Sequence, residues 1–109
     1  MRILFDQATP VPIRQYLEGH TVRTAAQQGW DRLGNGGLLT AAEEAGFDLL
    51  LTTDKNMRYQ RNLTGRKIAI VAIGQQQWPQ LRLHIARVVE AVNAATPGSY
   101  VEVDIPRGA

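Results

Sequence analysis

Apolar and polar positions alternate along this chain in blocks that switch between the two-residue period of strands and the 3.6-residue period of helices. Arg2-Ile3-Leu4-Phe5 is a short apolar run ending on Asp6. Thr9-Pro10 has the form of a helix N-cap with proline at the first helical position, and Ile13, Tyr16 and Leu17 share one helical face before Gly19 stops it. Residues 20–24 (HTVRT) predict a brief strand near a sheet edge. Residues 25–30 fit either a helical turn or an irregular connection, and 31–37 (DRLGNGG) form a glycine-rich loop. The spacing then predicts a helix over 38–45, with Leu38, Leu39, Ala42 and Ala45 inward, Glu43 and Glu44 in solvent, and Gly46 as the stop.

Residues 48–53 (DLLLTT) read as a third, buried strand, closed by Asp54 and followed by a short helix over 55–62. Residues 68–73 (IAIVAI) are apolar on both faces, as a central parallel strand requires. The longest helix starts at Trp78-Pro79 and places Leu81, Ile85, Val88, Val89 and Val92 on one side, with Arg82, Arg87 and Glu90 on the other. It ends at Pro97-Gly98. Residues 100–105 (YVEVDI) alternate as a half-exposed edge strand does. Strands interleaved with helices predict an α/β domain over residues 1–109: a three-layer α/β/α sandwich around a mostly parallel, five-stranded sheet.

The 109 residues suffice for one core, and 44% hydrophobic with 20% charged residues is ordinary for a soluble protein. No apolar run approaches the roughly 20 residues that span a bilayer. Without cysteine there is neither a disulfide framework nor thiolate chemistry, and a cytoplasmic location is expected. A net charge of +2 demands no nucleic-acid partner, but the distribution is uneven. Residues 33–54 hold four acids and no base, whereas 55–67 hold five bases and no acid. That division reads equally well as solvated surface.

Ligands of parallel sheets gather at the carboxyl ends of the strands. Asp6 and Asp54 stand at two such ends, and if their strands are neighbours both carboxylates reach one cation. Oxygen ligands suit Mg²⁺ or Mn²⁺, with Asn56 as a further neutral ligand and Lys55, Arg58 and Arg61 placed to bind phosphate. Asp54 equally fits the role of cap for the helix at 55. His20 and His84 lack partners at zinc-ligand spacing, GNGG matches no phosphate loop, and Trp30 and Trp78 read as packing or interface residues.

The segments MRILFDQATP (1–10), GFDLLLTTDKNMRYQRNL (46–63) and the IAIV strand, together with the long helix and the closing PGSYVEVDIP, resemble the small PIN-like family of bacterial chromosomes. Many of its members look like toxins of toxin–antitoxin pairs. The resemblance implies a Mg²⁺- or Mn²⁺-dependent ribonuclease acting on single-stranded RNA, with an antitoxin protein as partner. Asp6 matches the first-strand acid of that family, Asp54 the acid after the third strand, and Asn56 a further ligand position. One position departs: similar proteins open the helix at 38 with Asn-Gly-Glu/Asp-Leu-Leu, where this chain has Asn35-Gly36-Gly37-Leu38-Leu39. The middle acid is absent, which implies weakened metal binding and impaired catalysis unless Asp31 substitutes for it. Two other readings compete with the nuclease: a non-catalytic module that binds RNA or protein, and a homodimer formed through apolar surface around Trp30 or Trp78.

Overall fold

In the computed structural model, which describes residues 1–54, 57 and 65–106, five parallel strands form one sheet in the order β2-β1-β3-β4-β5. The strands are β1 (Arg2–Phe5), β2 (Thr21–Thr24), β3 (Leu49–Thr52), β4 (Ala69–Ile73) and β5 (Tyr100–Val103). Every adjacent pair is parallel, so the mostly parallel sheet expected from sequence is wholly so. Edge positions go to β2 and β5, as their weaker apolar patterns predict. The two leucine- and isoleucine-rich strands, β3 and β4, are buried along their whole length.

Alternation along the strands sends side chains to two separate cores. Ile3, Phe5, Leu49, Leu51, Val71 and Ile73 face one side, where Ile13, Leu17, Leu81, Val88 and Val92 cover them. Leu4, Leu50 and Ile70 face the other, under Leu38, Leu39, Ala42 and Phe47. Helices therefore lie on both faces: α1 (Asn35–Glu44) on one, and a 3₁₀ helix (Val11–Tyr16), α2 (Trp78–Arg82) and α3 (Ile85–Ala94) on the other.

Several boundaries differ from the sequence expectation. Thr9 is not an N-cap; it is buried, and its hydroxyl donates to the Leu51 carbonyl at 2.9 Å, so the turn that follows is 3₁₀ and starts after Pro10. Helix α1 begins at Asn35 rather than at 38, which draws Asn35, Gly36 and Gly37 out of the supposed loop into its first turn. The long helix is two helices. At its break, Leu83, His84 and Arg87 donate to carbonyls three residues back, tightening the chain and leaving Leu83 65% exposed. Strand β3 spans 49–52 rather than 48–53, and the Asp48 carboxylate accepts the Arg2 amide at 2.8 Å. Of the helix expected over 55–62, only Met57 lies within the described residues; it is buried in the core beside Leu50, and its amide donates to the Asp54 carbonyl at 3.2 Å.

Gly46 ends α1 as expected. Its φ of +83° is left-handed, and a Cβ there would come within 3.0 Å of the Arg2 guanidinium. That guanidinium donates to the Ala45 carbonyl and stacks 4.6 Å from the centre of the Phe47 ring, so the start of β1 closes the end of α1.

Glu43 corrects the expectation of a solvated side chain. It is half-buried and paired with Arg66 at 2.5 Å, while its second oxygen accepts the Lys67 amide at 3.1 Å. Burial opposes its ionisation. The Arg66 hydrogen bond, the Lys67 amide, the Arg66 charge and the Ile68 amide outweigh burial and hold the carboxyl below its ordinary value of 4.5. A depressed folded-state pKa contributes stability that is complete above the unfolded value and lost as pH falls through the folded one. Glu43→Gln is therefore expected to lower the unfolding free energy at neutral pH by about 1–3 kcal/mol. Urea melts of both proteins should converge as the pH falls through the folded-state pKa of Glu43.

Candidate functional site

The strand order reverses between β1 and β3: the chain steps outward from β1 to β2, then crosses back to place β3 on the other side of β1. Open parallel sheets bind ligands at such a reversal, outside the carboxyl ends of the strands. A cavity of about 640 Å³ opens there, lined by Asp6, Gln7, Ala8, Asn35, Thr53, Asp54 and Gln76. The two acids singled out from sequence thus share one cavity.

Thr52 ties them together. Phe5 pairs with Leu51 across the parallel ladder, which sets Asp6 beside Thr52, and the Asp6 amide donates to the Leu51 carbonyl at 3.0 Å. The Thr52 side chain is fully buried. Its hydroxyl donates to Asp6 Oδ2 at 2.5 Å and accepts the Asp54 amide at 3.0 Å. One buried hydroxyl therefore fixes the carboxylate of the first acid and the backbone of the second. Asp6 Oδ1 accepts the Gln7 amide, and Asp54 Oδ2 accepts from Asn35 Nδ2 at 3.0 Å.

Neither Thr52 nor Asn35 is a site residue on the sequence reading. The available signal for Thr52 was its place at the end of a buried strand, where a hydroxyl needs partners. Asn35 had no such signal, because its role depends on α1 starting three residues before the apolar pattern does.

The other candidates are distributed as follows. Lys55, Asn56, Arg58 and Arg61 lie outside the described residues. Asp31 is exposed and does not line the cavity, so it does not fill the place of the missing acid. Gly37 sits in the first turn of α1, where a Cβ would meet only the Leu33 side chain, at an ordinary 3.9 Å. His20 is held between the Met1 amine, 3.1 Å from Nδ1, and Asn93 Oδ1, 2.9 Å from Nε2. Trp30 packs edge-on against Phe47 and Trp78 against Tyr16, each with ring centroids 6.0 Å apart, and both remain partly exposed. Arg66, part of the basic run, is committed to α1.

Among the described residues no three His, Cys, Asp or Glu side chains gather where they could hold a metal ion. The cavity offers two carboxylates and neutral oxygens. That set fits a hard divalent cation of the Mg²⁺ type, which takes one or two carboxylates and completes its shell with water and substrate phosphate. Asp6 Oδ1 and Oδ2 each have two lone pairs, so the hydrogen bond that each accepts leaves acceptor capacity.

A second cavity, of about 540 Å³, lies at the opposite edge and is lined by Phe47, Asp48, Lys67, Ile68 and Pro97 among others. It is mainly apolar, and its acids Asp48 and Glu43 are engaged by Arg2 and Arg66.

The fold and site define an α/β protein with a parallel sheet and an acidic pair at its switch point. The chain matches no protein-family model, no curated protein and no solved structure. No helix among the described residues is long and apolar enough to cross a membrane.

Thr52→Val preserves shape but removes the donor to Asp6 and the acceptor of the Asp54 amide. Chemical denaturation should show a loss of about 1–3 kcal/mol. Thr52→Ser, which keeps the hydroxyl, should restore most of it.

Proposed function

We propose that this protein is a PIN-like, metal-dependent ribonuclease domain of the toxin–antitoxin type, weakened by the glycine at position 37. The observation that carries the reading is the pairing of Asp6 and Asp54 in one cavity, at the reversal of strand order, through the buried Thr52 hydroxyl. The family resemblance of the sequence supplies the substrate, single-stranded RNA, and the partner, an antitoxin protein.

Asp6 and Asp54 would hold Mg²⁺ or Mn²⁺. The bound cation supplies activation of water and neutralisation of charge on a phosphodiester. Thr52 keeps the Asp6 carboxylate turned toward the cavity, and Asn35 orients that of Asp54. The described lining of the cavity contains no base, so phosphate approaching the acids needs positive charge from elsewhere. Lys55, Arg58 and Arg61, which follow Asp54 directly in sequence, are proposed to supply it.

An alternative draws on one specific observation. Only two acids meet at the site among the described residues, fewer than the three or four that the family resemblance implies, which favours a module that binds RNA or protein without cleaving it. RNA binding that weakens with salt but ignores EDTA would mark that module.

Position 37 provides the direct test. A Cβ at position 37 meets only the Leu33 side chain, at an ordinary 3.9 Å, and Gly37→Glu places an acid in the first turn of α1, where the helix dipole favours it. Purified Gly37→Glu protein should cleave single-stranded RNA with Mn²⁺ and slow growth when expressed. Adding Asp6→Asn or Asp54→Asn should lower cleavage on the order of 100-fold. A Gly37→Glu protein that binds Mn²⁺ yet leaves RNA intact would remove the nuclease reading.

A further inference from the structure

Helix α1 is weakly supported where it meets the site. Its first turn is Asn35-Gly36-Gly37, its N-cap is Gly34, and no side chain among the described residues caps it. Two glycines in one turn carry the entropy penalty of the least restricted residue, and an uncapped start leaves amides without partners. Left to itself such a turn frays. Yet this turn carries Asn35, whose amide holds Asp54 Oδ2.

One side chain from outside the helix compensates. Arg66 lies along α1 and reaches three successive levels of it: the Gly36 carbonyl at 3.4 Å, the Thr40 hydroxyl at 3.2 Å and the Glu43 carboxylate at 2.5 Å. The guanidinium is planar, with donors in a fixed fork, so it can engage these levels together as an ammonium cannot. The Lys67 amide adds a second link to Glu43. Because Arg66 precedes β4, the helix is registered against the segment that enters the central sheet.

We infer that Arg66 is a positioning residue for the acidic pair: by clamping α1 at Gly36, Thr40 and Glu43, it holds Asn35 against Asp54. The inference rests on Asp6 and Asp54 forming the functional site, but its test does not. Within the basic run of 55–67 it divides labour, since Arg66 serves the architecture of the site rather than contact with a polyanion.

The experiment follows the Asn35 side-chain amide by NMR in the intact chain, with thermal stability measured in parallel. In Arg66→Met the Asn35 amide protons should lose exchange protection about tenfold and shift toward solvent-exposed values, while the amides of Leu50 and Leu51 remain protected. Arg66→Lys should recover melting temperature through the Glu43 pair but leave Asn35 unprotected, a split that a purely structural ion pair would not give. Thr40→Val, a milder change that retains the Glu43 pair, should loosen Asn35 to an intermediate degree and serves if Arg66→Met does not fold. Unchanged Asn35 protection in Arg66→Met, or in Thr40→Val where only that variant folds, would overturn the inference whatever happens to stability. So would full recovery of Asn35 by Arg66→Lys. RNA cleavage and metal binding enter none of these readouts, so a failure of the clamp and a failure of the nuclease reading remain separate results.

Discussion

The parallel pairing of β1 with β3 is the constraint on which the site depends. Ile3, Leu4 and Phe5 lie against Leu49, Leu50 and Leu51, and this register carries over to the next pair, Asp6 and Thr52. A slip of one residue would turn the leucines of β3 to the wrong cores and move Thr52 away from Asp6. Packing and chemistry are therefore fixed by the same alignment. The Leu51 carbonyl marks the end of the ladder, accepting both the Asp6 amide and the Thr9 hydroxyl. Chain leaving β1 is thereby held over the end of β3, on the rim of the cavity.

The second support comes from outside the sheet. Helix α1 brings Asn35 to Asp54, but its opening turn has little intrinsic strength, and Arg66 secures it from the entry to β4. Glu43 is the residue that makes this possible, because its carboxylate is ionised through the neutral range by the same partners that pin the helix. Stability at the bottom of α1 and geometry at its top are in this way connected through ten residues of helix.

Much of the architecture was legible in the sequence because burial writes itself into periodicity. The doubly apolar runs of β3 and β4 and the half-apolar patterns of β2 and β5 distinguish central from edge strands without further information. Asp6 and Asp54 were readable as candidates because each ends an apolar strand, although Asp54 suited a helix cap equally well. Non-local partners were harder to read. Glu43 looks like any outward helical acid until Arg66, more than twenty positions on, is folded against it. Asn35 and Gly36 have the composition of a loop, and only tertiary support makes them helical. The break before Ile85 has neither proline nor glycine to announce it. Resemblance supplied what periodicity cannot, a substrate class and a metal, and it also exposed the glycine at 37.

Asp6 and Asp54 are proposed to form one cation-receptive site at the carboxyl edge of the sheet. Paramagnetic broadening during a Mn²⁺ titration, read residue by residue by NMR, tests it most directly, since the effect falls off steeply with distance from the ion. The amides of Gln7, Thr53 and Asp54 should broaden together at the lowest Mn²⁺ additions, while those of Asp48 and Ala69, at the opposite edge, stay sharp. Broadening that begins at Asp48 or Glu43, or that reaches Asp54 without Gln7, would contradict a shared site.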